Sequence, residues 1–205
     1  MAAPITHIVL ANKVFDKYFS GKDRKEFFVG TSFPDIRYYD NLDREKTHQD
    51  GKSIEEIAKE DSFFAGAYFH SLLDERWGNF YRLLKDHPFY IEPHHVLSVS
   101  LKFLQDELLY DRFSGWTELA GFFDGVLEGE KKFGLPEKDI VRWHGFLQKY
   151  FIERPSDKTR ALVLVDGGFD FDFIDQVNLF VAKMRGDEKI VQAARDFYDK
   201  FDGLI

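Results

Sequence analysis

The sequence predicts an all-α protein, a multi-helix bundle with at most one short irregular strand. Three observations carry that prediction. Apolar residues recur at helical spacing along most of the chain. From Phe63 to Leu73 nearly every side chain is apolar or aromatic, as in a helix buried on all sides. Only ALVLV, at 161–165, has the look of a strand, and five residues do not separate a strand from a buried helix.

Taken in order, the first helix spans Pro4 to Phe19, with Ile8, Val9, Ala11, Val14, Phe15 and Phe19 on its apolar face and Thr6 as its expected cap. His7 then falls in the first turn, where the positive helix end favours a neutral imidazole. Residues 20–50 read mostly as loop: GKDRKE is a charged turn and KEFFVG a short helical turn. Pro34 restrains the backbone before Asp35, which stands between Phe33 and Ile36. His48 follows in a polar stretch. Ser53 and Glu56 form a capping-box pattern. Asp61 is the expected cap of the central helix, which runs to about Lys85 and ends before Pro88.

The next helix lies within Ile91–Arg112, starting near Pro93, with Leu97, Leu101, Leu104 and Leu108 as its core stripe. Glu107 and Asp111 share a face there as a solvated acidic edge, with Lys102 and Arg112 as expected counter-charges. His94 and His95 read as structural or exposed. Further helices are expected at Gly115–Gly129, Leu135–Phe151, 173–184 and 187–201, with Arg154–Thr159 as a connection. DGGFDFD, at 166–172, lacks the twelve-residue calcium-loop pattern and reads as a turn and helix cap. Residues 1–205 are expected to form one domain, with a site-bearing half at about 1–85 and a helical half at about 90–205.

Bulk composition narrows the function. With 44% hydrophobic residues and 23 Phe, the chain has ample material for a core. A net charge of −8 argues against a nucleic-acid partner. There is no Cys, so any metal must be held by His, Asp and Glu. No stretch approaches the roughly 20 apolar residues of a transmembrane helix, and no secretory signal is seen. A soluble cytoplasmic protein is expected.

The chemistry is expected at His70 and Asp74, four apart and therefore on one helix face. A buried imidazole and carboxylate need a partner. With His7, Asp35 and His48 they make three imidazoles and two carboxylates, a natural ligand set for zinc, with manganese or iron as alternatives. A helical His-x-x-x-Asp pair also occurs as a plain buried hydrogen-bonded pair, so both readings stand at this point. Tyr38, Tyr39 and Trp77 are candidates to line the approach or to pack in the core, Tyr81 reads as core packing, and Arg37 and Arg76 are the nearest cations to meet a phosphate.

THI at 6–8, GTSFPDI at 30–36, KTHQ at 46–49 and GAYFHSLLDERW at 66–77 stand in the order seen in zinc-dependent phospholipase C. The chain thus resembles that family, whose wider circle includes the P1-type nucleases. The most specific parts are Pro-Asp, a Thr-His whose His lies thirteen residues after that Asp, and the helical His-x-x-x-Asp. The resemblance implies a phospholipase C/P1 nuclease-like helical fold. It implies one zinc held by Asp35, His48, His70 and Asp74, with Asp74 bridging to a second ion held with His7. It also implies hydrolysis of a phosphate diester or lipid-like phosphoester by metal-activated water. The chain departs from the family in three places: it opens MAAP where those enzymes have a ligating Trp, it has His144 with Gln148 where they have His-x-x-x-Glu, and its N-terminal gaps between motifs are shorter. A fainter similarity runs to acyl-carrier-protein phosphodiesterase. Two functions are therefore expected: a metal-dependent phosphoesterase, or, as alternative, a non-catalytic helical binding or scaffold protein with one structural metal.

Overall fold

The computed structural model describes residues 3–40, 42–83 and 94–205, apart from the side chains of Tyr39, Asp40, Tyr81, Leu83 and His94. Among the described residues the protein is all-α and has no strand. One buried apolar cluster runs from Ile5 to Phe201. No described helix is long and apolar enough to cross a membrane.

α1 (Pro4–Tyr18) opens on Pro4, where the missing N–H costs nothing. Thr6 does not cap it. The N-cap is Ala3, and the carboxylate of Asp106 accepts from the amides of Ile5 and Thr6 at 3.1 and 2.7 Å. Thr6 lies inside the first turn, so its hydroxyl donates to Asp106 at 2.6 Å. The carboxylate does the work of a local cap on the positive helix end.

The expected loop at 20–50 instead contains α2 (Arg24–Ser32). Its cap is Asp23, which accepts from the Glu26 amide at 2.8 Å, so the charged run forms a helix entrance as well as a turn. The helix is held by close packing on α6 (Ser62–Leu83). A Cβ on Gly30 would stand 2.0 Å from the Phe63 carbonyl oxygen, and one on Gly66 would stand 2.0 Å from that of Phe27. Only glycine permits that approach. Rings of Phe15, Phe19, Phe27 and Phe69 fill the space beside it.

A 3-10 turn at Pro34–Ile36 leads to the short helices α3 (Arg37–Asp40), α4 (Arg44–Thr47) and α5 (Ile54–Ile57). Ser53 and Glu56 form the expected capping box on α5. Asp61 accepts from the Phe64 amide at 3.0 Å and caps α6 as expected. Ala65, Ala67, Phe69, His70, Ser71, Leu72, Leu73 and Asp74 are all buried, as an internal helix requires. The expected end near Lys85 and the next start at Ile91 and Pro93 lie outside the described residues.

In α7 (His94–Leu109) Leu97, Leu101 and Leu104 are buried. The acidic edge is neutralised from elsewhere than expected. Arg185 donates to Glu107 through Nε and Nη2, both at 2.8 Å, and Arg154 pairs with Asp111. His95 is exposed and lies against Phe169 and Phe173, whereas His94 falls outside the described side chains.

The expected helix at Gly115–Gly129 is broken into α8 (Trp116–Gly121) and α9 (Glu128–Lys131), in a stretch where Gly121, Gly125 and Gly129 lower helix propensity. α10 (Glu137–Ile152), α11 (Asp157–Asp166), α12 (Phe171–Arg185) and α13 (Glu188–Lys200) complete the chain. ALVLV is helical. It sits in α11, capped by Ser156, with Leu164 buried and Leu162 and Val165 exposed. α11 also begins inside the expected connection at Arg154–Thr159. Asp170 caps α12 by accepting from the Phe173 amide at 2.8 Å, as expected of DGGFDFD.

Candidate metal centre

Four pieces of backbone deliver five polar side chains to one point. His7 comes from the first turn of α1, Asp35 from the 3-10 turn after α2, and His48 from the residue after α4. His70 and Asp74 stand one turn apart on α6. All five are buried, between 1% and 7% exposed. The His7 and His70 rings stack at 3.8 Å with planes 4° apart, and the His48 ring meets His70 edge-on at 5.0 Å.

Each imidazole is oriented from behind. Nδ1 of His7 donates to the Ala3 carbonyl at 3.0 Å, and Nδ1 of His70 to the Thr31 carbonyl at 2.8 Å. A carbonyl can only accept, so both rings carry the proton on Nδ1 and a lone pair on Nε2. Nδ1 of His48 lies 2.9 Å from the Thr47 hydroxyl. Such outer contacts fix the tautomer of metal-ligating histidines.

The Nε2 atoms of His7, His48 and His70 and Oδ1 of Asp35 are buried and have no hydrogen-bond partner. A buried polar atom left so costs about 1–3 kcal/mol. His7 Nε2 stands 3.2 Å from Asp74 Oδ1; His48 and His70 Nε2 stand 3.5 and 3.7 Å from Asp74 Oδ2; His70 Nε2 stands 3.8 Å from Asp35 Oδ1. Most of these are too long for hydrogen bonds. Ligands arranged tetrahedrally around zinc at its usual bond length stand roughly 3.3–3.6 Å apart. The donor atoms form two overlapping triads that share His70: His7–His70–Asp74 and Asp35–His48–His70. Three imidazoles and two carboxylates of this spacing fit a divalent cation.

The protonation of His70 and Asp74 agrees with that fit. Burial, with His7 and His48 close by, holds the His70 imidazole well below its ordinary value, so it is neutral. Burial pushes the Asp74 carboxyl up, but His70, His48 and His7 outweigh it and hold Asp74 well below the usual carboxylate range. Burial and the charge of Asp74 push Asp35 up.

The expected substrate side is only partly found here. The Arg37 guanidinium donates to the Tyr38 hydroxyl at 2.8 Å, and Tyr38 is 53% exposed. The charge of Asp35 acts on the Tyr38 hydroxyl, consistent with a place beside the site, while the ring stays open to solvent. Trp77 is not on an approach: it is 2% exposed and donates from Nε1 to Gln105. Arg76 bonds Glu75, and two residues past Asp74 put it roughly 200° round the helix, on the far side from the ligands. Tyr39 and Tyr81 lie outside the described side chains. The His144–Gln148 pair does not form either. His144 Nε2 is 2.7 Å from Glu130 Oε1, while Gln148 donates to Ala120 and Asp124.

Arg44 was not anticipated. Its Nη2 lies 3.6 Å from Asp74 Oδ2. The available signal was its position four residues before His48, which places the two on one face of a helical turn. Lys102 also acts electrostatically on Asp35 and Asp74, a proximity that no local spacing announces. In comparisons with known proteins, no family model, no curated protein and no solved structure matches the chain.

Proposed function

We propose that the protein is a metal-dependent hydrolase acting on a phosphate ester. The observation that carries the reading is the convergence of three partnerless Nε2 atoms on Asp74, with Asp35 Oδ1 facing His70 Nε2. His7, Asp35, His48, His70 and Asp74 would hold the metal, zinc first, one ion or two, with manganese or iron as alternatives given the two carboxylates. When bound, a divalent cation supplies a Lewis acid that activates water and neutralises charge at phosphorus.

The chain's own residues do the rest. Ala3 and Thr31 hold the imidazoles of His7 and His70 in the ligating tautomer. Arg44 and Lys102 put positive charge beside two carboxylates, which suits an anionic substrate. The resemblance to zinc-dependent phospholipase C and P1-type nucleases supports a small or lipid-like phosphodiester.

The second reading is a non-catalytic helical protein with one structural metal, favoured by the near-complete burial of all five ligands. Metal analysis of protein purified without added ions, then assay of zinc-, manganese- and iron-loaded protein on p-nitrophenyl phosphate and bis(p-nitrophenyl) phosphate, separates the two. Bound metal with turnover is expected. Bound metal without turnover of either ester overturns the hydrolase and leaves the structural metal.

A further inference from the structure

Arg44 joins the buried centre to the surface. Its Nη2 reaches Asp74 Oδ2, the same oxygen that His48 and His70 face, while its Nη1 pairs with the exposed Asp50. The side chain is 33% exposed, in contrast to the five ligands. The turn that carries it also carries His48, whose amide donates to the Arg44 carbonyl at 2.9 Å. Gln49 then ties the segment to α6 by donating from its amide to Ser71 Oγ at 3.0 Å. The backbone of Arg44 is thus anchored while its guanidinium bridges an inner and an outer carboxylate.

A guanidinium on Asp74 Oδ2 and a divalent cation among the Nε2 atoms compete for the same negative charge and repel each other. We propose that Arg44 is an exchangeable cation of this centre. With the site empty of metal it partners Asp74; with metal bound it leaves Asp74 and takes an oxyanion of the phosphate class. Its planar fork matches two phosphate oxygens, and Asp50 holds it on the solvent side, where such a ligand arrives. This inference rests on the metal-centre reading and adds to it the residue that recognises the anion.

The test compares wild type, Arg44→Ala and Arg44→Lys. Zinc affinity is measured by competition with a chelator. Binding of inorganic phosphate to the zinc-loaded proteins is measured by calorimetry, and folding by circular dichroism. Arg44→Ala is expected to bind zinc about tenfold tighter, because a competitor for Asp74 is gone, and phosphate about tenfold weaker. Arg44→Lys is expected to keep the fold and recover phosphate binding only in part. A merely structural Arg44 predicts weaker zinc binding in the alanine variant. That result, or unchanged phosphate binding, overturns the inference and leaves the metal centre standing. Wild-type protein that binds no zinc fails earlier and removes the centre itself.

Discussion

Among the described residues two buried sets of imidazole and carboxylate stand out, and they differ in how far apart their atoms stand. In the first, between α9 and α10, His144 Nε2 meets Glu130 Oε1 at 2.7 Å and the Leu127 amide donates to Glu130 Oε2 at 2.7 Å. The Phe123 ring meets His144 edge-on at 5.3 Å. That pair completes itself. In the second set, around Asp74, carboxylate and Nε2 atoms stand 3.2–3.8 Å apart, and several have no hydrogen-bond partner. Burial and composition are alike in both. The spacing of the donor atoms distinguishes a closed hydrogen-bonded pair from a group that could hold a cation.

The sharpest break in that contrast comes from His70. A single ligand among four is worth about a quarter of the ~10–16 kcal/mol that a structural zinc supplies. His70→Ala should therefore weaken zinc binding by several hundredfold, and its melting temperature should cease to respond to chelator. Equal destabilisation by this substitution with and without chelator would sink the metal reading in favour of a plain hydrogen-bonded cluster. Glu130→Ala should act the other way. Stranding His144 should lower stability by about 3 kcal/mol in urea unfolding while zinc content stays at the wild-type level.

Packing around the second set gives the next effect. Gly66→Ala drives a methyl group into the Phe27 carbonyl and should cost about 2–3 kcal/mol. It should also weaken zinc binding, because α2 carries the Thr31 carbonyl that orients His70. Gly145, with nothing within 4 Å of its absent Cβ, is the control: Gly145→Ala should be neutral or stabilise by about 0.5–1 kcal/mol.

The remaining effect is a pH dependence at Asp106. Burial pushes this carboxyl up to about 6, against the pull of the Thr6 and Tyr150 hydroxyls and the amides of Thr6 and Ile5. A carboxyl raised on folding takes up a proton in the native state first. Its contribution is therefore fully present below the unfolded value near 4 and is lost as pH rises through about 6. Between pH 4 and 7 the stability difference between wild type and Asp106→Asn should change by about 2 kcal/mol, wild type losing ground as pH rises. A flat difference would show that the carboxyl is ionised throughout.

The legible parts of the molecule were those fixed by local spacing. The 3.6-residue pattern found α1, α6, α7, α10, α12 and α13, and the caps at Ser53, Asp61 and Asp170 were visible because a cap acts three residues away. His70 and Asp74 were legible as a helical pair, and the resemblance supplied His7, Asp35 and His48. Contacts made over long sequence distances were hidden. α2 depends on glycines meeting the backbone of α6, Glu107 and Asp111 on arginines far downstream, and His144 on Glu130 rather than its helical neighbour Gln148. Trp77 shares the ligand face by its position, yet Gln105 draws it into the core. The strand-like run at 161–165 became helix because Ser156 caps it and it has no strand to pair with among the described residues.

Asp106 also sets what can be cut from this chain. The acceptor for the opening amides of α1 belongs to α7 and is held in turn by the Tyr150 hydroxyl at 2.7 Å. The position of His7 is therefore inherited from residues a hundred and more places downstream. A fragment stopping near residue 85 would carry every proposed ligand and still lack the anchor of one of them, so any minimal version or chimera must bring α7 and α10 along.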